Sequence, residues 1–229
     1  MIGLFDPLFW MLVGPAVLLG VIAQIWVRFA FARAQRVVAP LSGAETAEAI
    51  LRAAGIQDVD IRPVEGFLAD HYDPQNKVIR LSPEVFASRS VAAMGIAAHE
   101  AGHALQHAER YAPLSIRNAA VGIASLGSNS GILLFILGLI LSLPVLMWLG
   151  LVLFSGVVFF QLVNLPVEFN ASARAKALLA RMGLVDPRSQ RLVNSVLTAA
   201  ALTYVAATLQ AVMTLVYYVM LARGQDREA

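Results

Sequence analysis

The 229-residue chain contains no cysteine. That excludes a disulfide framework and removes thiolates from any metal site, leaving His, Asp and Glu as the available side-chain ligands. Charge is scarce as well: Asp, Glu, Lys and Arg make up 14% of the residues, against roughly 25% in an average soluble domain. The net charge of +2 is too small to form the basic face that nucleic acid requires. Lys and Arg are missing before Pro7 and again throughout 118–163. With no basic n-region before it and no small-x-small cleavage site after it, the first apolar run reads as a retained anchor rather than a cleaved signal peptide.

What the chain has instead is apolar length. Hydrophobic residues make up 59% of it, and four stretches reach the roughly 20 residues needed to cross a bilayer. They are Pro7–Val27, Asn118–Leu141, Val145–Val163 and Leu197–Leu221. Ser142, Leu143 and Pro144 are all that separate the second from the third, so the pair reads as a tight helical hairpin. Ten Lys or Arg lie from Arg28 to Arg117, five from Arg174 to Arg191, and two, Arg223 and Arg227, follow the last span. The positive-inside rule therefore puts both larger basic segments in the cytoplasm and both termini outside, with the two tail arginines in mild conflict.

Residues from about 37 to 115 are long enough for a small module. Ser42 with Glu45 forms a capping-box pattern, and Gly55 supplies a stop, so a helix is expected from Gly43 to Ala54. Strands are expected at Asp58–Pro63, Gly66–Tyr72 and Lys77–Leu81, the last two joined by the turn Asp73-Pro74-Gln75-Asn76. Ser82-Pro83-Glu84 has the order of a helix start. A longer helix is expected from Val91 to Glu109, capped by Ser90 and rich in Ala and Gly, which suits close packing.

That last helix carries His99-Glu100-Ala101-Gly102-His103, an HExxH pentad. Residues four apart share a helix face, so both imidazoles can hold one metal while Glu100 reaches a bound water. A catalytic zinc takes three protein ligands and leaves one position open. Three residues compete for the third place. His107 lies one turn, about 6 Å, beyond His103, and three successive turns of a straight helix cannot converge on one ion. Glu109 occupies the third-histidine position of an HExxHxxGxxH pattern, but Gln106 stands where that pattern breaks the helix with glycine. Glu168 follows the third span directly, in Pro166-Val167-Glu168-Phe169-Asn170-Ala171-Ser172, with Asn164 and Pro166 suited to open a new helix. A carboxylate so close to hydrocarbon is costly unless paired or metal-bound, which makes Glu168 the strongest of the three.

Asp70-His71-Tyr72-Asp73-Pro74, the segment His99–Gln106 and Pro166–Ser172, in this order and with these spans, resemble the YugP-like family of neutral zinc metallopeptidases. The resemblance implies a gluzincin-like site with Glu168 as third ligand. A more distant likeness is to membrane peptidases of the HtpX and CAAX prenyl protease type, which take a later glutamate from an EFxAD-like segment. Here Ser172 stands where an aspartate would support a liganding histidine, so another orienting partner is needed; Asn170 is a candidate.

The fold class expected is therefore a mainly α membrane protein: four transmembrane helices with a small α+β zincin-like catalytic module. Its parts are an anchor (1–27), a cytoplasmic module with the HExxH helix (28–117), a transmembrane hairpin (118–163), a cytoplasmic helical segment with the third ligand (164–196), and a last transmembrane helix with its tail (197–229). The function expected is a zinc metalloendopeptidase of the bacterial plasma membrane that hydrolyses membrane-associated polypeptides near the cytoplasmic face. One Zn2+ per chain would be held by His99, His103 and Glu168, with Glu100 as general base. His71, Tyr72 and Arg174 are candidates for transition-state or substrate contacts. The alternative is a catalytically silent zinc-binding membrane adaptor or scaffold. Retention of Glu100 argues against it, because a structural site needs no base.

Overall fold

The computed structural model describes residues 6–225. The tail charges Asp226, Arg227 and Glu228 lie outside the described residues. The chain is mainly helical. Four helical stretches are long and apolar enough to cross a membrane: Pro7–Gln35 (α1), Ala112–Ile140, Pro144–Arg181 (α7) and Pro187–Gln225 (α8). The second is composite. It runs as α5 (Ala112–Leu126), a π-helical turn at Gly127–Gly131, and α6 (Ile132–Ile140). Between α1 and α5 lie α2 (Gly43–Ala53), β1 (Asp60–Pro63), β2 (His71–Asp73), β3 (Val78–Leu81), α3 (Pro83–Phe86) and α4 (Val91–Ala108).

Contacts divide the chain into two compact units: Met1–Ile22 with Ser115–Leu165 and Thr203–Ala229, and Ala23–Leu114 with Pro166–Leu202. In the first unit, α5, α6 and α7 approach closely through glycines. A Cβ at Gly127 would strike the Leu153 carbonyl, and one at Gly138 would lie 2.6 Å from the Met147 nitrogen. The seryl and amide groups near the π-turn serve local needs: Ser128 and Asn129 are exposed, and both donate back to the Ser125 carbonyl.

The second unit is built by local rules. Ser42 accepts from the Glu45 N–H while the Glu45 carboxylate accepts from the Ser42 N–H, so the capping box opens α2. Gly55 closes it at φ 71°, a conformation glycine adopts without strain. Asp73 Oδ1 accepts from the N–H groups of Gln75 and Asn76, an Asx turn that folds β2 back antiparallel onto β3. β1 then pairs parallel with β3 from the other side, giving the order β1-β3-β2. Ser90 caps α4 by accepting from the Ala93 N–H. The core collects Ala47, Ile50, Ile79, Leu81, Met94, Ala97, Ala101 and Leu179, all fully buried.

Three details differ from the sequence reading. Strand β2 is limited to His71–Asp73 rather than starting at Gly66. Ser82 makes no side-chain cap on α3; its hydroxyl and N–H donate to the Asp70 carboxylate instead. No new helix opens at Asn164: α7 continues without a break through Pro166 to Arg181. Asn164 is buried within it and accepts from Arg117 Nε, so its side chain serves that contact and not a helix cap.

Candidate metal centre

The HExxH residues lie on α4, the helix buried most completely in the second unit. Small side chains let α7 come close. A Cβ at Gly102 would stand 2.9 Å from the Ala171 carbonyl oxygen, so only glycine permits this separation. Helical periodicity does the rest. His99 and His103 sit one turn apart with ring centroids at 4.8 Å, and Glu168, one turn before Ala171 on α7, points at both.

Glu168 Oε2 lies 3.2 Å from His99 Nε2 and 3.6 Å from His103 Nε2. The three ligand atoms fall within 4.8 Å of one another, the one such group of His, Asp or Glu among the described residues. A tetrahedral ion with bonds of about 2.0–2.2 Å sets its ligand atoms about 3.3–3.6 Å apart. The side chains present therefore fit zinc, and two imidazoles with one carboxylate form a donor set typical of catalytic sites. Neither His107 nor Glu109 belongs to the group. His107 Nδ1 meets the Tyr72 hydroxyl at 2.8 Å, and Glu109 accepts from Arg174 at 2.7 Å.

Both histidines are held at their other nitrogen. His99 Nδ1 meets Ser172 Oγ at 3.2 Å, and His103 Nδ1 meets Gln106 Oε1 at 3.0 Å. Ser172 thus takes the place an aspartate would fill. The sequence reading placed Gln106 only where an HExxHxxGxxH pattern has glycine and gave it no contact with the site, although its position three residues after His103 on a helix is a neighbour position. It is fully buried. Its Nε2 donates to the Val167 carbonyl and to Asn170 Oδ1, each at 2.9 Å. Asn170 is thus linked to His103 by hydrogen bonds through Gln106.

Glu100 is also buried, and among the described residues no side chain or N–H donates to its carboxylate, which leaves the oxygens available to water. Burial raises the Glu168 carboxyl, but hydrogen bonds from His103 and His99 outweigh it and hold the group well below the usual carboxylate range. Burial opposes the His103 imidazolium, while Glu168, Glu100 and Gln106 favour it more strongly, so its pKa is raised. Asp70 is raised by burial against the opposing Ser82 bonds, and the Glu100 charge adds to the rise. The Asp70 loop is thus electrostatically in reach of Glu100. Tyr72 is pushed up to about 12, first by burial and then by Asp58 and Asp73. Its phenol remains a donor at neutral pH.

The other two candidates lie differently. His71 is exposed on β2, its Nδ1 2.8 Å from the Ala69 carbonyl. Arg174 donates from Nε to Asn170 Oδ1 at 2.7 Å and from Nη2 to Glu109 at 2.7 Å, and lies 6.0 Å from the Tyr111 ring centroid.

The comparisons agree with this geometry. A curated relative from Bacillus subtilis (strain 168), "Putative membrane protease YugP", is 47% identical over 186 residues, covering 81% of this chain and 83% of its own length. No solved structure matches. The family model described as "Putative neutral zinc metallopeptidase" matches residues 9–223, nearly the whole chain, and the chain belongs to that family.

Proposed function

We propose that the protein is a membrane zinc endopeptidase that cleaves membrane-associated polypeptides on the cytoplasmic side. The observation carrying this reading is the meeting of His99, His103 and Glu168 at zinc-ligand spacing beside a buried Glu100 to whose carboxylate no group among the described residues donates. Zinc in that position would lower the pKa of a water molecule and polarise the scissile carbonyl. The chain's own groups would complete the reaction. Glu100 takes a proton on its carboxylate from the attacking water and passes it to the leaving amine nitrogen. Tyr72, a neutral phenol whose hydroxyl meets His107 one turn beyond His103, is our candidate for the donor that supports the carbonyl oxygen as charge develops.

β2 is an edge strand, and its outer side can take an extended peptide as a further strand; exposed His71 would contact such a segment. The side of the membrane follows from the basic residues flanking the spans. Proximity to the membrane follows from α7: Glu168 comes five residues after Val163, about 7.5 Å along the helix axis.

The decisive comparison is Glu100→Gln against wild type, with zinc content and hydrolysis of an unfolded membrane-protein substrate measured together. The near-isosteric amide should keep zinc and lose about 10²–10⁴-fold in turnover. Wild-type turnover in the zinc-loaded variant would refute the assignment of the base. Absence of turnover in both proteins, with zinc bound, would favour the adaptor reading.

A further inference from the structure

We infer that Gln106 is a positioning residue that selects the metal-binding tautomer of His103, and that Asn170 and Arg174 hold it in the orientation this requires. The inference rests on the zinc reading above. It follows from donor and acceptor capacities alone.

A guanidinium has five N–H groups and no lone pair to offer. The Asn170 atom 2.7 Å from Arg174 Nε is therefore its carbonyl oxygen. That oxygen, 2.9 Å from the Gln106 amide, can only accept, and so can the Val167 main-chain carbonyl, also at 2.9 Å. Two acceptors thus demand the NH2 end of Gln106. Its oxygen must then face His103 Nδ1, 3.0 Å away. An oxygen there requires a proton on Nδ1, which leaves the Nε2 lone pair for the metal, on the side where Glu168 lies 3.6 Å away.

The reversed amide would set an NH2 against Nδ1, force the proton onto Nε2 and abolish ligation. It would also press an oxygen against two other oxygens. With Gln106 at 0% exposure, no water can relieve that conflict, and an unsatisfied buried polar group is costly. Arg174 ends the side-chain part of this chain of bonds because its guanidinium, unlike the amides of Gln106 and Asn170, cannot reverse; the Val167 carbonyl fixes the other acceptor in the same way. Its pairing with Glu109 at the C-terminal end of α4 ties it to the helix whose histidine it serves. On this account Arg174 acts on the site through Asn170 and Gln106 and not by touching substrate.

The test uses the full-length protein in detergent with zinc alone as the probe, affinity being read by chelator competition. Gln106→Met keeps the volume and removes both the acceptor and the donors. It should lower zinc affinity about 10–100-fold, the usual effect of losing a group that orients a ligand. A second pair covers the case in which that variant does not fold. Asn170→Asp keeps an acceptor for Gln106 and Arg174 and should hold zinc like wild type, whereas Asn170→Leu should weaken it.

With four histidines in the chain, imidazole-15N spectra of the zinc-loaded protein can be assigned. His103 should carry its proton on Nδ1 in the wild type. A proton on Nε2 in that spectrum would overturn the inference, as would wild-type zinc affinity in Gln106→Met or equal affinities in the two Asn170 variants. If wild-type protein binds no zinc, the metallopeptidase reading fails first; if wild type binds and these variants bind equally well, only the tautomer relay fails.

Discussion

The contact between Gly102 and Ala171 offers a sharp test of how the site is assembled. In Gly102→Ala the new Cβ would stand 2.9 Å from the Ala171 oxygen, 3.3 Å from its Cα and 3.4 Å from its carbonyl carbon. These are main-chain atoms, so no rotamer change relieves the overlap; α7 must retreat by roughly 0.5 Å to reach ordinary contact. Glu168 lies three residues earlier on the same helix and would move with it. Ligand distances hold only within about 0.2 Å, so the carboxylate would be drawn out of range of an ion held by His99 and His103.

Zinc affinity should fall about 10–100-fold, or about 1.4–2.8 kcal/mol. The fold should change less. Overpacking costs about 1–3 kcal/mol, while alanine in place of glycine within a helix returns up to about 1 kcal/mol. Gly95→Ala is the control on the same helix. There the three atoms nearest a Cβ would all be Val193 side-chain atoms, the closest at 3.4 Å, so zinc affinity should be unchanged and stability equal or better. Chelator competition and thermal unfolding of the three proteins decide the matter. Wild-type zinc affinity in Gly102→Ala would refute the claim that this close approach positions Glu168.

Glu168→Ala should sharply reduce the zinc that copurifies, measured by metal analysis; full retention would remove this carboxylate from the ligand set. Zinc affinity should fall with pH. Because the His103 pKa is raised above the usual value, the proton competes for Nε2 at and below that raised pKa, so affinity should drop about tenfold per pH unit for each proton displaced and level off above it. Pre-equilibrium zinc titrations from pH 5 to 9 check this, and a flat profile would contradict it. The natural absence of cysteine allows single-cysteine labelling without background: Gln75→Cys should react with an impermeant reagent only after access to the cytoplasm, and Ser142→Cys from outside, whereas the reverse pattern would invert the topology.

The elements legible in the sequence are those governed by neighbours along the chain. Four apolar lengths marked the spans because a bilayer fixes the length that must be covered. Ser42 and Glu45 marked the start of α2, and Asp73 through Asn76 marked the β2–β3 turn, because caps and Asx turns are made by residues two or three apart. His99 and His103 share a face because the helical repeat requires it.

Tertiary structure alone decided the rest. Pro166 and Asn164 have the local chemistry of a helix start, yet α7 runs through them, with Asn164 engaged by Arg117 from the preceding span. The parallel pairing of β1 with β3 depends on a return path that no turn signal encodes. His99 and Glu168 are 69 residues apart. The carboxylate needed a partner, but its distance from the imidazoles depends on how closely Gly102 lets α7 approach α4. Gln106 is the clearest case. By itself it is one more polar residue on a helix. Its role comes from Val167, Asn170 and Arg174, more than sixty positions later, which turn one end of its amide away and so aim the other at His103.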